Sequence, residues 1–366
     1  MTNPLLGDWN TPFEIAPFDK IADTDFSPAL DQALAADMAE TIAIAQQPDA
    51  PTFENTIHAM QATGRQLDRV LSVFYTVNGA DSNPAREVLM REFSPKLSAH
   101  HSEIIANEAL FQRIDTLWQN RDSLELSDEQ ARVLMLTHRH FVRSGAALLG
   151  EAKERMKEIK SRLSVLGTEF SQNLLADERD WFMPLAEADM EGLPEFLIAA
   201  AKAAAKEKGQ DGAIITLSRS IVVPFLQFSV RRDLREQAYD AWAARGANGG
   251  STDNRALALE MLVLRQEMAA LLGYTDFASY KLETEMAKTP ENVRQLLNDV
   301  WAPAKARADQ DAQILTEMMH QDGINGDLEK WDWRYYAEKR RKADHDIDEA
   351  EVKPYFQLDQ MIKASF

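Results

Sequence analysis

The residues of this sequence best suited to holding a catalytic metal ion are its seven histidines: His58, His100, His101, His138, His140, His320 and His345. Two imidazoles one helical turn apart, in the pattern His-Glu-x-x-His, chelate zinc, and the glutamate activates the zinc-bound water. None of the seven is followed by glutamate. The sequence therefore predicts no metal ligand, no catalytic residue and no cofactor-binding residue in these 366 residues.

Two pairs of histidines lie close together in the sequence. His100 and His101 are adjacent, so on a helix their side chains point about 100° apart and cannot share an ion unaided. His138 and His140 are two residues apart and diverge further. We therefore expect structural or solvent-exposed roles for both pairs.

A third arrangement lies near the end of the sequence. His345 precedes Glu349 by four residues, which is ligand spacing inside a helix. Asp348 has the form of an N-cap, however, and this would place His345 before the helix. The acidic run that includes Asp344 and Asp346 lacks the glycine and terminal glutamate of a calcium loop. We interpret this segment as a solvated turn.

Other catalytic patterns are missing from the sequence. There is no cysteine, which excludes disulfides and thiolate nucleophiles and fits a reducing cytoplasm. The glycine patterns of dinucleotide, phosphate and serine-hydrolase sites do not occur. Carboxylates are too abundant for one pair to be singled out. Residue types alone therefore reach no further than a soluble helical protein.

Composition limits the partners and the location of the protein. A formal charge of −19 argues against nucleic acid, because phosphate neutralisation needs clustered Lys and Arg. The first residues do not resemble a signal peptide. The most apolar stretch, Phe196 to Ala205, is interrupted by Lys202 and is too short to span a bilayer. We expect a cytoplasmic protein that binds neither nucleic acid nor membrane.

Helical periodicity dominates the elements that would position any site. One apolar stripe, ended by Gly273 as a C-cap, contains Leu257, Met261, Leu264, Met268 and Leu271. A longer seam, which predicts one arm of a long antiparallel helical pair, contains Met156, Ile159, Leu163, Leu166, Phe170 and Leu174.

Helix starts are also marked in the sequence. Ser127 and Gln130 have the form of a capping box. Thr289 and Pro290 place a hydroxyl at an N-cap and a proline in the first turn. The buried face of the helix that follows is predicted to be formed by Val293, Leu296, Leu297, Val300 and Trp301. Pro194 and Gly209 bracket another helix, residues 195–208.

Strand signals are few. Residues 214–217 and 221–223 are short β-branched runs separated by a polar turn, so they predict one hairpin. Pro224 would place the second run at an edge, and residues 246–251 form a loop. The predicted fold is mainly α, in multi-helix layers with a long antiparallel pair and at most one small hairpin. We divide it into a helical region, 1–145, and a helical hairpin with a helical layer, 146–366.

Three segments resemble the thimet oligopeptidase family of zinc metallopeptidases. The first is Pro51-Thr52-Phe53-Glu54-Asn55-Thr56-Ile57. The second comprises Leu264-Arg265, Leu271-Leu272-Gly273-Tyr274, Tyr280 and Met286-Ala287-Lys288-Thr289-Pro290. The third comprises Trp331-Asp332-Trp333-Arg334-Tyr335-Tyr336, Ile347-Asp348-Glu349 and Val352-Lys353-Pro354-Tyr355-Phe356. Within this family, the bacterial dipeptidyl carboxypeptidase (peptidyl-dipeptidase) branch is the more similar, because of Ser72-Val73-Phe74, Trp331-Asp332-Trp333 and Asp348-Glu349-Ala350. The oligopeptidase A branch is the alternative.

The resemblance implies a two-lobed helical shell around a channel with zinc on its floor. In such an enzyme zinc polarises the scissile carbonyl of a short unfolded peptide, and the dipeptidase branch releases C-terminal dipeptides. The family's zinc-binding domain follows the segment that ends at Phe356, ten residues before the last residue here. We therefore expect the N-terminal half of such a peptidase, truncated before its catalytic half and inactive alone. The alternative from another class is a non-catalytic binding or scaffold protein.

Two further expectations concern aromatic and arginine side chains. Core positions are predicted for the motif aromatics Phe53, Tyr280, Trp331, Trp333, Tyr355 and Phe356. We expect Arg219, Arg231 and Arg232 to pair with surface carboxylates rather than to bind a peptide carboxylate. Loss of the catalytic half would expose apolar surface and favour self-association through Tyr355, Phe356 and Phe366.

Overall fold

The computed structural model describes residues 3–345 and 352–366, and its architecture is mainly α as predicted. The first helices are α1 Asp23–Ala45, α2 Ala59–Ala62, α3 Arg65–Ala80, α4 Pro84–Ala106, α5 Glu108–Gln119, α6 Asp128–Arg143 and α7 Gly150–Asp180. The later helices are α8 Glu195–Glu207, α9 Arg219–Phe228, α10 Arg232–Ala243, α11 Arg255–Leu271, α12 Phe277–Leu282, α13 Pro290–Gln321, α14 Trp333–His345 and α15 Leu358–Ser365.

Shorter elements connect these helices. A π-helical turn, Phe53–His58, leads into α2. The 3-10 turns are Pro12–Glu14, Phe18–Lys20, Arg121–Ser123, Glu187–Met190 and Lys353–Phe356. The strands are β1 Phe182–Leu185 and β2 Ala213–Thr216.

The chain divides into two compact units, Met1–Lys157 and Glu158–Phe366. The division falls within α7. The division after residue 145 that the sequence suggested stays a prediction.

The first unit contains two hydrophobic clusters. In one, α1, α3 and α4 meet around Phe26, Phe74 and Phe93, which are fully buried. The ring centroid of Phe74 lies 5.2 Å from that of Phe26 and 4.6 Å from that of Phe93. In the other cluster, α5 and α6 pack with the π-helical turn around Ile57, Leu110 and others. Aromatic packing therefore anchors the contact between α1, α3 and α4.

The second unit contains the small sheet. Strands β1 and β2 pair antiparallel, with Phe182 opposite Thr216 and Leu185 opposite Ala213. They are joined through α8 rather than by a turn. The α8 helix, predicted as residues 195–208, packs on this sheet through Leu197 and Ala201.

The predicted hairpin is wrong in its second strand. Residues 221–223 belong to helix α9, and Pro224 lies inside that helix rather than at a strand edge. Ile221 and Val222 are buried against the sheet and α8 in one cluster with Phe225. A short β-branched run is compatible with a strand or with a buried helix, and here tertiary packing decides for the helix.

The predicted antiparallel helical pair is formed by α7 and α11. Asn254, at the start of α11, bonds the Phe170 carbonyl at 3.0 Å and receives a bond from Asn173 at 2.9 Å. Six residues further along α11, Glu260 accepts two bonds from Arg162, at 2.6 and 2.8 Å. Moving forward along α11 thus moves backward along α7. Along the same pair, the predicted stripes meet around Ile159, Leu166 and Leu264. Gly273 has the left-handed φ of 83° that its C-cap position requires.

The predicted helix starts are confirmed. Ser127 and Gln130 form a reciprocal capping box, with bonds of 3.0 and 3.3 Å. Thr289 accepts a bond from the Asn292 amide at 3.3 Å, and α13 begins at Pro290. Residues 246–251 form a loop between α10 and α11.

The prediction that this apolar face of α13 is buried is wrong. Leu296, Leu297, Val300 and Trp301 are 55–68% exposed, and Val293 is only partly buried. The apolar pattern indicates a face suited to packing, but no described element covers it. Near its other end α13 does pack, because Leu315 and Met319 are buried with Tyr336 of α14.

No helix in the described part of the chain is both long enough and apolar enough to cross a bilayer.

Candidate functional site

In the first unit, two histidines are paired with single carboxylates. His100 lies 2.6 Å from an oxygen of Asp37, and both side chains are about nine-tenths buried. His58 lies 2.8 Å from Glu54, one helical turn away, and both are exposed. One imidazole with one carboxylate is an ion pair or hydrogen bond rather than a metal site.

The other histidines of the first unit lie among aromatic rings. His138 contacts Asp115 at 2.9 Å and stacks on Trp118, with ring centroids 4.9 Å apart. The rings of His101 and His140 lie 5.4 Å apart. The two sequence pairs therefore separate: His100 and His138 each turn to a carboxylate, while His101 and His140 face each other.

The second unit contains the last two histidines. His320, at the end of α13, lies 3.2 Å from the Gly326 carbonyl. His345 is the last residue of α14, and the helix start predicted at Asp348 lies outside the described residues. Its suggested partner Glu349 lies outside the described residues. So do Asp346 and Asp348 of the acidic run, and that interpretation stays a prediction.

Zinc requires several of these ligands to converge. Across residues 3–345 and 352–366, no group of three or more His, Cys, Asp or Glu side chains is placed to hold a metal ion. The described residues therefore do not fit a zinc site, and we assign none of them a role as ligand, base or nucleophile.

Among the described residues, the most deeply buried charged side chains are Asp332, in the Trp331–Tyr336 motif, and Arg235, on α10. Asp332 is fully buried and accepts bonds from Arg232 at 2.7 Å and from Arg235 at 2.9 Å. Arg235 is itself 1% exposed and also donates to the carbonyls of Ser229 at 2.7 Å and Trp331 at 3.2 Å. We call Arg232, Arg235 and Asp332 the buried ionic cluster. Its Asp332–Arg235 pair is inaccessible, whereas the side chain of Arg232 is 36% exposed. Together the three residues tie α10 to the start of α14.

Electrostatics and aromatic rings support this cluster. Burial disfavours the charged carboxylate, but bonds from Arg232 and then Arg235 outweigh it and hold the pKa of Asp332 below its ordinary value. The guanidinium of Arg235 also lies 4.2 Å from the Tyr335 ring centroid. Burial, and secondarily the charge of Asp322, raises the pKa of Tyr336 to about 12.

Two of the three arginines singled out from the sequence, Arg231 and Arg232, pair with carboxylates. Arg231 pairs with Asp189 and, at 2.6 Å, with Asp233. Arg232 pairs with Asp332, but this partner is fully buried rather than on the surface. Arg219 is exposed at the first position of α9. Sequence reasoning missed Arg235, although its spacing of three from Arg232 places both on one face of α10.

The motif aromatics divide into two groups. Phe53, Tyr280 and Trp331 are partly buried, and Phe53 packs against the second cluster of the first unit. Trp333, Tyr355 and Phe356 are exposed, so the expectation of core positions is wrong for them. Tyr355 and Phe356 are 75% and 61% exposed, whereas Trp333 is 37% exposed.

The first motif has a clear structural role centred on Asn55. Its side-chain oxygen accepts from the Thr52 amide at 2.8 Å, from Arg113 at 2.9 Å and from Thr56 at 2.9 Å. Arg113, on α5 and nearly buried, also donates to the carbonyls of Gln47 at 2.9 Å and Asp49 at 3.0 Å. Asn55 and Arg113 thus fasten the π-helical turn and its preceding loop to α5.

We expect Asn55→Ala to lower the free energy of unfolding by about 1–3 kcal/mol, because it removes the acceptor of a largely buried guanidinium. Urea unfolding followed by circular dichroism measures this. The matched control is Glu54→Ala, whose exposed side chain pairs only locally with His58 and should cost less than about 0.5 kcal/mol. Equal losses for the two variants would contradict the role given to Asn55.

Two concave surfaces occur in the second unit. The larger, about 740 Å³, lies between α7, α8 and the start of α9 and is lined by Glu178, Arg179, Lys208 and Ser218 among others. The smaller, about 320 Å³, lies between α13 and α14. In it Asp311 pairs with Arg307 at 3.1 Å and with Arg340 at 2.7 Å. Neither surface brings together a nucleophile, a base and an orienting group.

The helical fold, the buried motif residues and the three sequence segments define a class of protein. Residues 225–365 match Peptidase family M3. The chain belongs to this family of peptidases, as the resemblance of its motifs implied.

Curated relatives specify the similarity further. Over 99% of its length the chain is 35% identical to dipeptidyl carboxypeptidase from Salmonella typhimurium, and this covers 54% of that protein. It is 33% identical to dipeptidyl carboxypeptidase from Escherichia coli, over 98% of this chain and 53% of that protein. Identity to Escherichia coli oligopeptidase A is 31%, over 100% of this chain and 54% of the relative. The chain thus spans about half the length of the relatives it matches.

Proposed function

We propose that this chain is the helical, channel-wall portion of a zinc-dependent peptidyl-dipeptidase. The intact enzyme would hydrolyse short, unfolded peptides and release dipeptides from their C-termini. In this proposal the zinc, its ligands and the catalytic base belong to a C-terminal half that this chain does not contain. The chain alone would hold no zinc and would be inactive. The whole enzyme would act in the cytoplasm, with short peptides as its substrates.

One observation carries the proposal: similarity to dipeptidyl carboxypeptidase extends along 99% of the chain but over 54% of that relative. It is supported by the histidines, none of which is followed by glutamate. It is also supported by the absence of converging metal ligands in the part of the chain that the structure describes.

A second candidate is the corresponding part of an oligopeptidase A, which would cleave within peptides. It is favoured by 31% identity over the whole chain to the Escherichia coli oligopeptidase A. The two candidates differ in product. Dipeptides released only from a free C-terminus would support the first, and internal fragments would support the second. A non-catalytic scaffold remains the alternative from another class.

We expect the purified chain to contain less than stoichiometric zinc and to release no dipeptide from a peptide with a free C-terminus. The reason is that a peptidase zinc site needs three protein ligands and an open position. Metal analysis by mass spectrometry and a chromatographic peptide assay measure these, with the Salmonella typhimurium dipeptidyl carboxypeptidase as positive control.

Turnover by this chain that a chelator abolishes would overturn the assignment of zinc to another part. The DNA sequence beyond codon 366 is an independent test. An in-frame His-Glu-x-x-His would support the peptidase portion, whereas an immediate natural stop codon would favour the scaffold.

We also propose that the isolated chain self-associates through an apolar patch formed by Tyr355, Phe356 and Phe366, all strongly exposed. Burying such a patch is favourable. In sedimentation experiments the average mass should therefore rise with concentration, and Tyr355→Ser with Phe356→Ser should suppress the rise. The control is Phe13→Ser, since Phe13 is equally exposed in the first unit. A clean monomer at high concentration would contradict the proposal.

A further inference from the structure

Helix α13 carries an apolar face of which only one end is covered. Leu297 and Leu315 are eighteen residues apart, which is five full turns of 3.6 residues, so they lie on the same face. Leu315 is buried with Met319 against α14. Leu297 and Trp301 are 61% and 68% exposed. The same face therefore passes from packed to unpacked along one helix.

The residues between these ends continue the face. Ala304 and Ala308 lie within about 20° of the direction of Leu297 at 100° per residue, and both are exposed. We call Leu297, Trp301, Ala304 and Ala308 the α13 stripe. It has two large residues followed by two small ones, and small side chains allow another backbone to approach closely. A stripe of this kind is suited to packing against a further helix or strand.

The occupant that the comparisons point to is the part of the relatives that this chain lacks. The stripe lies within residues 225–365, which match the peptidase family. The dipeptidyl carboxypeptidases of that family are covered to only 53–54% by this chain, so nearly half of their length has no counterpart among these residues.

We propose that the α13 stripe is the docking surface for the peptidase portion that this chain does not contain, and this rests on the proposed function. Leu297 and Trp301 enter an apolar surface of that portion, while Ala304 and Ala308 lie against its backbone. The docked portion extends the packing that α14 begins at Leu315. An exposed stripe of about three turns then becomes part of a continuous core.

The absence of cysteine from the sequence permits a direct test by single thiols. Leu297→Cys places the thiol on the stripe. Gln295→Cys is the matched control, because Gln295 is exposed two residues away and about 160° around the helix. Each variant is co-expressed with the part of the Salmonella typhimurium dipeptidyl carboxypeptidase that has no counterpart in this chain. Maleimide labelling of this chain is then followed by intact-mass spectrometry, alone and in the assembly.

We expect labelling of Leu297→Cys to be at least about tenfold slower in the assembly than alone, and that of Gln295→Cys to change less than about twofold. An assembly that holds zinc and releases dipeptides while Leu297→Cys labels at its free rate overturns the docking surface and leaves the proposed function intact. Failure of the two parts to assemble overturns the docking surface, and the proposed function is then decided by its own tests of zinc content and peptide cleavage. Slow, concentration-dependent labelling of Leu297→Cys in the isolated chain identifies a second copy as the occupant and overturns the proposal.

Discussion

Replacing Asp332 with alanine is expected to lower the free energy of unfolding by about 3–5 kcal/mol, which is the cost of leaving a buried charge without its partner. Asp332 is the acidic centre of the buried ionic cluster, and Arg235 is as inaccessible as the carboxylate it bonds. Without Asp332, that guanidinium keeps only carbonyl partners. Urea unfolding at pH 7, followed by circular dichroism, measures the loss.

A matched control and a double variant sharpen this prediction. Asp327→Ala removes an exposed carboxylate five residues away and should change stability by less than about 0.5 kcal/mol. Adding Arg235→Met to Asp332→Ala should recover part of the loss, because the uncompensated charge is removed as well. If Asp332→Ala unfolds at the wild-type urea concentration, the cluster contributes little and the interpretation is wrong.

The same cluster gives stability a defined dependence on pH. The pKa of Asp332 is lower in the folded chain than its ordinary value, so the folded state binds a proton less readily than the unfolded state. The stabilisation is therefore fully present above the unfolded pKa of about 3.9 and is lost as the pH falls through the folded value. The difference in stability between wild type and Asp332→Asn should thus stay constant from pH 6 to about pH 4 and shrink as the pH is lowered further.

The second large effect is expected in the first unit. Phe74→Ala should cost about 3–5 kcal/mol, the range for truncating a buried phenylalanine and leaving a cavity. Phe74 is fully buried between Phe26 and Phe93, in edge-on and tilted contacts. The contacts belong to three different helices, so neighbouring rings cannot close the gap without moving a helix.

The adjacent residue provides the comparison. Tyr75→Ala truncates a ring that is 44% exposed and should cost less than about 1 kcal/mol. Phe74→Leu keeps most of the volume and should cost less than about 1.5 kcal/mol. Similar unfolding midpoints for the two alanine variants would show that the aromatic cluster is not the centre of this packing.

Local signals in the sequence predicted helices more reliably than strands. The seam of α7, the stripe of α11 and the cap at Ser127 depend on residues within a few turns, and all three appear in the structure. The partner of β2 was missed, because β1 contains Pro184 and only four residues. The run at Ile221 was taken for a strand, since burial rather than intrinsic preference places it in α9.

Contacts between residues far apart in the sequence could not be predicted from the sequence. Nothing local to Arg232 indicates that its partner is Asp332, a hundred positions away and fully buried. The spacing of the apolar residues of α13 identified its apolar side, but the prediction that this side is buried was wrong. Periodicity shows which side of a helix is apolar and not what covers it. The family resemblance was recoverable from its three motifs, whereas the roles of Asn55 and Asp332 within them required coordinates.

The loop between α10 and α11 has a consequence for the chemical ageing of the protein. Asn-Gly sequences deamidate when the amide nitrogen of the glycine attacks the asparagine side chain. At Asn248 both groups are held: the Gly249 amide donates to Asp253 at 2.8 Å, and the Asn248 side chain donates to Asp177 at 2.9 Å and accepts from Gly250 at 2.8 Å. Cyclisation to a succinimide would break all three bonds, so the folded chain should keep this asparagine intact during storage, while the unfolded chain converts it to aspartate and isoaspartate.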